Sequence, residues 1–76
     1  MILRLSQLRP GQGGVIQEYQ DQEIFLKLME MGCLPGESVI VEQVAPLGDP
    51  ISVQIAGYRL SLRLSEAENI LVDVNN

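Results

Sequence analysis

Residues 26 to 50 read Leu-Lys-Leu-Met-Glu-Met-Gly-Cys-Leu-Pro-Gly-Glu-Ser-Val-Ile-Val-Glu-Gln-Val-Ala-Pro-Leu-Gly-Asp-Pro, and this stretch decides the fold. A helical pattern stops at Gly32, where a left-handed residue belongs, and Pro35 follows just beyond, as helix ends prefer. Pro35 and Gly36 form a turn, because proline presets φ and glycine supplies a positive φ. Ser38 to Val44 is then a β-branched strand. Pro46, Leu47, Gly48, Asp49 and Pro50 make a rigid corner, since proline cannot sit inside a central strand.

Upstream, Asp21 caps a helix expected from about residue 22 to 31. Before it, Arg9-Pro10-Gly11-Gln12 is a turn, Gly13-Gly14 loosens the backbone, and Val15 to Tyr19 is a strand. Ile2 to Leu5 is a short strand or an extended lead-in, and Ser6-Gln7-Leu8 is one tight turn. Downstream, Ile51 to Ile55 alternates cleanly and Gly57 turns a hairpin. Tyr58 to Leu64 alternates again, placing Arg59, Ser61 and Arg63 on an outer face. Ser65-Glu66-Ala67-Glu68 matches a capping box, serine at the N-cap and Glu68 at the third helical position, so a helical turn is expected at about 65–69. Ile70 to Val74 is the last strand.

The expected fold is mainly β: a small, closed or nearly closed antiparallel barrel of about five strands, because closure removes vulnerable edges. One α-helix is inserted after the first strands. The chain has 76 residues and reads as one domain. A domain this small has a thin core. Its single cysteine allows no internal disulfide, and no CxxC pair is present to hold zinc.

The formal charge is −5 and histidine is absent. A net acidic surface is repelled by phosphate backbones, so no nucleic-acid partner is expected. No apolar run approaches the roughly 20 residues of a membrane-spanning helix, and the first residues lack the pattern of a signal peptide. A lone thiol without an export signal reads as cytoplasmic.

Catalytic chemistry is thinly provided. Without histidine, no Ser-His or Cys-His couple can form. Cys33, just past the helix, reads as a small packed hydrophobe, and nearby Glu30 and Glu37 would raise its pKa rather than activate it. Glu18, Asp21 and Glu23 surround the helix start, where acidic residues complement the helix dipole. No metal site, cofactor site or enzyme activity is read from them. Pro10 to Gly14 lacks the Gly-Lys-Ser/Thr ending of a phosphate loop.

The helix carries the best surface clue. At about 100° per residue, Ile24, Phe25, Leu28, Met29 and Met31 form one apolar arc, and Leu26 extends it. Glu23, Lys27 and Glu30 take the remaining side, with Glu23 and Lys27 at an i,i+4 spacing. A core-facing stripe needs about 100°, and this arc approaches about twice that. Leu28 anchors the helix. Phe25, Leu26, Leu28 and Met29 are therefore the candidate partner-binding residues, and Gly32, Pro35, Gly36, Pro46, Gly48, Asp49, Pro50 and Gly57 the structural turns. Flanking loops or a partner would have to cover the surplus, and both readings stay open.

These same residues resemble the ferrous iron transport protein A (FeoA) family. The matching wording is Leu28-Met29-Glu30-Met31-Gly32, then Leu34-Pro35-Gly36, the strand Val39 to Val44, Ala45 to Pro50, Gly57 to Arg63, and Ala67 through Val72. The resemblance implies an SH3-like barrel with an inserted helix and a small cytoplasmic protein that binds and modulates the cytosolic domain of FeoB, a membrane iron permease with a GTP-binding domain. It brings no catalytic residues. It also leaves alternatives: a trans-acting regulatory domain related to the C-terminal domain of metal-dependent repressors, or a weak divalent-metal-binding protein. Cys33 stands where the family more often has an aliphatic residue. Self-association through the helix arc or through the Ile70 to Val74 strand also stays open.

Overall fold

A computed structural model describes residues 1–74. Its strands are β1 (Ile2–Arg4), β2 (Gly13–Tyr19), β3 (Ser38–Val44), β4 (Ile51–Ile55), β5 (Tyr58–Leu62) and β6 (Ile70–Val74). Its helices are α1 (Phe25–Glu30) and α2 (Leu64–Ala67), with 3-10 turns at Leu5–Gln7 and Gln22–Ile24. All six strands belong to one antiparallel sheet in the order β1-β6-β2-β3-β4-β5.

The sheet curls around a single cluster of buried side chains. Ile16 and Tyr19 of β2, Val39 and Val41 of β3, Ile51, Val53 and Ile55 of β4, Leu62 of β5 and Ile70, Val72 and Val74 of β6 alternate inward. Period-2 alternation puts every second residue on one face, and one buried face is what the sequence pattern required. Two bulges sharpen the curl. One lies in β2 between Ile16 and Glu18, the other in β3 between Val41 and Gln43. A bulge adds a residue to one strand and increases its local twist.

The opening segment is a true strand, because β6 pairs with it from Ile2↔Asp73 to Arg4↔Leu71. The Val74 amide also donates to the Met1 carbonyl at 2.8 Å, and the N-terminal ammonium lies 3.1 Å from Asp73 Oδ1. The first and last described residues are therefore neighbours. This pairing also corrects one expectation. β6 is flanked by β1 on one side and β2 on the other, so Ile70–Val74 has no free edge with which to extend a neighbour's sheet.

Gly13-Gly14 works differently from a loose lead-in. Both lie inside β2, where Gly14 pairs with Val39 on one side and Val74 on the other. A Cβ at Gly14 would meet the Asp73 carbonyl oxygen at 2.0 Å, and one at Gly13 would meet the Val39 carbonyl oxygen at 2.2 Å. Glycine is needed here because neighbouring backbones approach too closely for any side chain.

The turns match their sequence signals. Gly32, Gly36, Gly48 and Gly57 all have positive φ. Ala56 joins Gly57 at positive φ, the two-residue hairpin geometry that suits the twist of the flanking strands. In the proline corner, Gly48 N donates to Ala45 O at 2.7 Å and Ala45 N to Pro50 O at 3.1 Å. The Asp49–Pro50 peptide is cis.

Both helices are shorter than the sequence pattern. Asp21 does cap the first, its Oδ1 accepting from Glu23 N at 2.9 Å. The first turn is 3-10 rather than α, so the regular helix spans only Phe25–Glu30. The second begins earlier than its Ser65-x-x-Glu68 pattern implies. Arg63 is its N-cap, and Glu66, not Glu68, closes the turn by accepting from Arg63 N at 2.8 Å. β5 consequently stops at Leu62, and Arg63 leaves the outer face it would have shared with Arg59. Arg59 instead pairs with Glu42, Nε to Oε1 at 2.6 Å.

Candidate functional site

The candidate site is the outer face of α1, built from its fixed points outward. Leu28 is fully buried in the core and anchors the helix, which removes it from any contact surface. Ile24 and Met31 pack against the core margin. The helix ends as its sequence required: Gly32 N donates to Met29 O and Cys33 N to Leu28 O, each at 3.0 Å. This double closure with a left-handed glycine satisfies carbonyls that would otherwise be orphaned.

Tyr19 braces the helix from the sheet. Its ring meets Phe25 edge-on, centroids 5.3 Å apart at 86°. Its hydroxyl donates to the Cys33 carbonyl. Burial, reinforced by Cys33, pushes the Tyr19 hydroxyl pKa up, so it stays a donor. Cys33 has no exposed surface, and burial with Glu66 nearby pushes its thiol up to about 11. The opposing carboxylate is thus Glu66 rather than Glu30 or Glu37. A thiol so placed is a packing group and a poor nucleophile.

Lys27 does not take the expected partner. Its Nζ lies 2.8 Å from Glu66 Oε2, an ion pair that joins α1 to α2. Glu23 loses its claim because it sits in the 3-10 turn, where residues three apart eclipse and the i,i+4 relation fails. Glu66 is almost fully buried and uses both oxygens, one on Lys27 and one on the Arg63 amide. Asp49 of the proline corner completes the junction by accepting from Leu64 N at 2.9 Å. Corner, second helix and first helix are therefore tied together by two carboxylates. The Lys27–Glu66 and Leu64–Asp49 ties had no local signal, since those partners lie far apart in sequence.

Burial alone would raise the Glu66 carboxyl, but hydrogen bonds from Lys27 and Arg63 outweigh it and hold the group below its ordinary 4.5. A depressed folded-state pKa adds stability above the unfolded value, and that stability is lost as pH falls through the folded value. Thermal unfolding of the parent and of Glu66→Gln should therefore differ most near neutral pH and converge as pH falls through the depressed folded-state value. A constant difference across that range would remove Glu66 as the titrating group.

Outside this frame, the apolar surplus is uncovered. Leu26 is 64% exposed, and Phe25 and Met29 are each 37% exposed. Leu34, just past the helix, is equally exposed, and the Tyr58 ring lies beside Gly32 with more than half its surface in solvent. Phe25, Leu26 and Met29 are thus brought onto one short helix, while the turn residues lie in the connections between elements. Sequence reading missed Leu34, which adjoins the helix end along the chain, and Tyr58, whose proximity to it depends on the β4–β5 hairpin. Among the described residues no three His, Cys, Asp or Glu side chains form a group suited to a metal ion, and no helix is long and apolar enough to cross a membrane.

A curled six-stranded antiparallel sheet with a helix inserted between its second and third strands defines a small SH3-like β domain. The FeoA domain pattern matches residues 3–74, and the chain belongs to the FeoA family. It is 38% identical over 73 residues to an Fe(2+) transport protein A/Fe(2+) transporter FeoB fusion protein of Porphyromonas gingivalis, covering 95% of this chain and 9% of that protein. The chain thus spans only a small part of this relative. The solution structure of a FeoA-like protein from Clostridium acetobutylicum superposes with a TM-score of 0.88 at 37% identity, covering 99% of this chain and 88% of that one. The crystal structure of Stenotrophomonas maltophilia FeoA complexed with zinc, described as a prokaryotic SH3 domain protein, superposes at 0.79 with 34% identity, covering 93% and 89%.

Proposed function

We propose that this chain is an accessory domain of ferrous iron transport that docks on the cytosolic domain of a FeoB-type transporter and modulates it. The observation that carries this reading is the Porphyromonas gingivalis relative, in which a domain of this kind and FeoB are one polypeptide. Parts that are fused in one lineage and separate in another are candidates for physical association. The exposed face of α1 supplies the surface: Phe25, Leu26 and Met29 stand on a helix whose position is fixed from below by Leu28, Tyr19 and the Lys27–Glu66 pair. A rigid apolar patch is what a docking site requires. Methionine adds a side chain that adapts to its partner. The domain acts by binding and not by catalysis.

Leu26→Gln tests this directly. Leu26 is largely in solvent, so the change should alter stability by no more than about 0.5 kcal/mol. Capture of the transporter's cytosolic domain should weaken by about tenfold or more. Undiminished capture by a variant with an intact circular dichroism spectrum would sink the assignment of this face. A metal-carrier role has less behind it, because the one thiol is sealed in the core.

A further inference from the structure

The docking face carries one sign of charge, and that restricts what it can meet. Residues 21–37 hold four carboxylates, Asp21, Glu23, Glu30 and Glu37, against a single cation, Lys27. The charge of Lys27 is matched by Glu66, 2.8 Å away on the second helix. Leu26 lies between Glu23 and Glu30 along one ridge: Glu23 precedes it by three residues through the 3-10 turn, and Glu30 follows it by four in the α-helix. Both carboxylates are exposed and neither forms an ion pair among the described residues. The face is therefore an apolar centre of Phe25, Leu26 and Met29 bordered at both ends by negative charge.

We infer that the partner surface is an apolar pocket fringed by lysine or arginine side chains. This deepens the docking reading above and rests on it. Opposite charge at the rim steers encounter and fixes orientation, while the apolar centre governs how long the complex lasts. The Lys27–Glu66 pair has a second consequence in this arrangement: it neutralises the only cation of the segment, so the unpaired charge beside the apolar centre is negative.

The test is the association rate of this chain with the cytosolic domain of a FeoB-type transporter, measured by stopped flow against ionic strength. The rate should fall about tenfold between about 0.05 M and about 0.5 M salt. The double variant Glu23→Gln/Glu30→Gln should slow association about fivefold or more at low salt and flatten the salt dependence, with dissociation nearly unchanged. Glu42→Gln/Asp73→Asn removes the same charge elsewhere and should leave the rate within about twofold of the parent. An unchanged rate and salt slope in the rim variant would overturn the inference. So would equal slowing by the charge-matched control, which would assign the effect to net charge. Leu26→Gln in the same assay separates the two levels. If it abolishes binding while the rim variant changes nothing, the docking face stands and the basic fringe falls. If it changes nothing, the docking face itself falls, and the inference with it.

Discussion

Gly14→Ala is expected to destabilise the domain by about 1–3 kcal/mol or more, read as a lower denaturant midpoint. The physical reason is the absence of any escape. The added methyl group would sit 2.0 Å from the Asp73 carbonyl oxygen, 2.8 Å from its carbon and 2.9 Å from the Val74 Cα. All three are backbone atoms of β6, so no side chain can rotate away. Relief requires β2 and β6 to separate, and β2 is an interior strand that also holds β3 at this same residue. A chain of this length has a total stability of about 4–11 kcal/mol, so the loss is a large share of the whole. A midpoint equal to that of the parent would mean the two strands part at Gly14 without consequence, contrary to this packing.

Leu28→Ala is the second large effect, an expected loss of about 2–5 kcal/mol. Leu28 has no exposed surface and is the one wholly buried side chain of α1. Its truncation removes buried apolar surface and leaves a void beneath a helix only six residues long. Such a helix has little stability of its own and depends on packing. Leu26→Ala, on the same helix and of the same chemical type, should change stability by no more than about 0.5 kcal/mol, because that side chain is mostly in water. The pair can be compared in urea on otherwise identical proteins. Similar losses for both would show that the helix face assigned to solvent is in fact packed.

That contrast marks how far sequence reading reaches. The Gly32 stop, the Pro35-Gly36 reversal, the proline corner and the Gly57 hairpin were legible because each depends on φ preferences of the residues themselves. The alternating strands were legible because burial imposes a period of two. The split of the apolar arc was legible only in part: Leu28 could be placed inward, but the cover over Phe25, Leu26 and Met29 depends on neighbours from other strands. Where two local solutions compete, sequence chooses badly. Both Arg63…Glu66 and Ser65…Glu68 offer an acidic side chain three residues after a potential cap. The first is realised with Asp49, from a corner 15 residues away, holding the Leu64 amide. Likewise Lys27 has a local carboxylate in Glu23 and a distant one in Glu66, and the distant one wins because the 3-10 turn misaligns the local one. Gly13 and Gly14 are the clearest reversal. Glycine signals either freedom or crowding, and only the strand order, which seats β2 between β6 and β3, decides between them.

The neighbouring ends of the described chain bear on modularity. Because Met1 and Val74 are hydrogen-bonded to each other, a polypeptide can enter and leave the barrel at one spot, the arrangement that makes a domain easy to graft onto another. A barrel hung by a short flexible tether samples its target at an effective concentration of about a millimolar. Under that condition a feeble interface is enough. A barrel supplied as a separate chain has no such assistance and must find its target by collision. Selection on the helix face, and on the carboxylates beside it, should therefore be strict in untethered forms and relaxed in tethered ones.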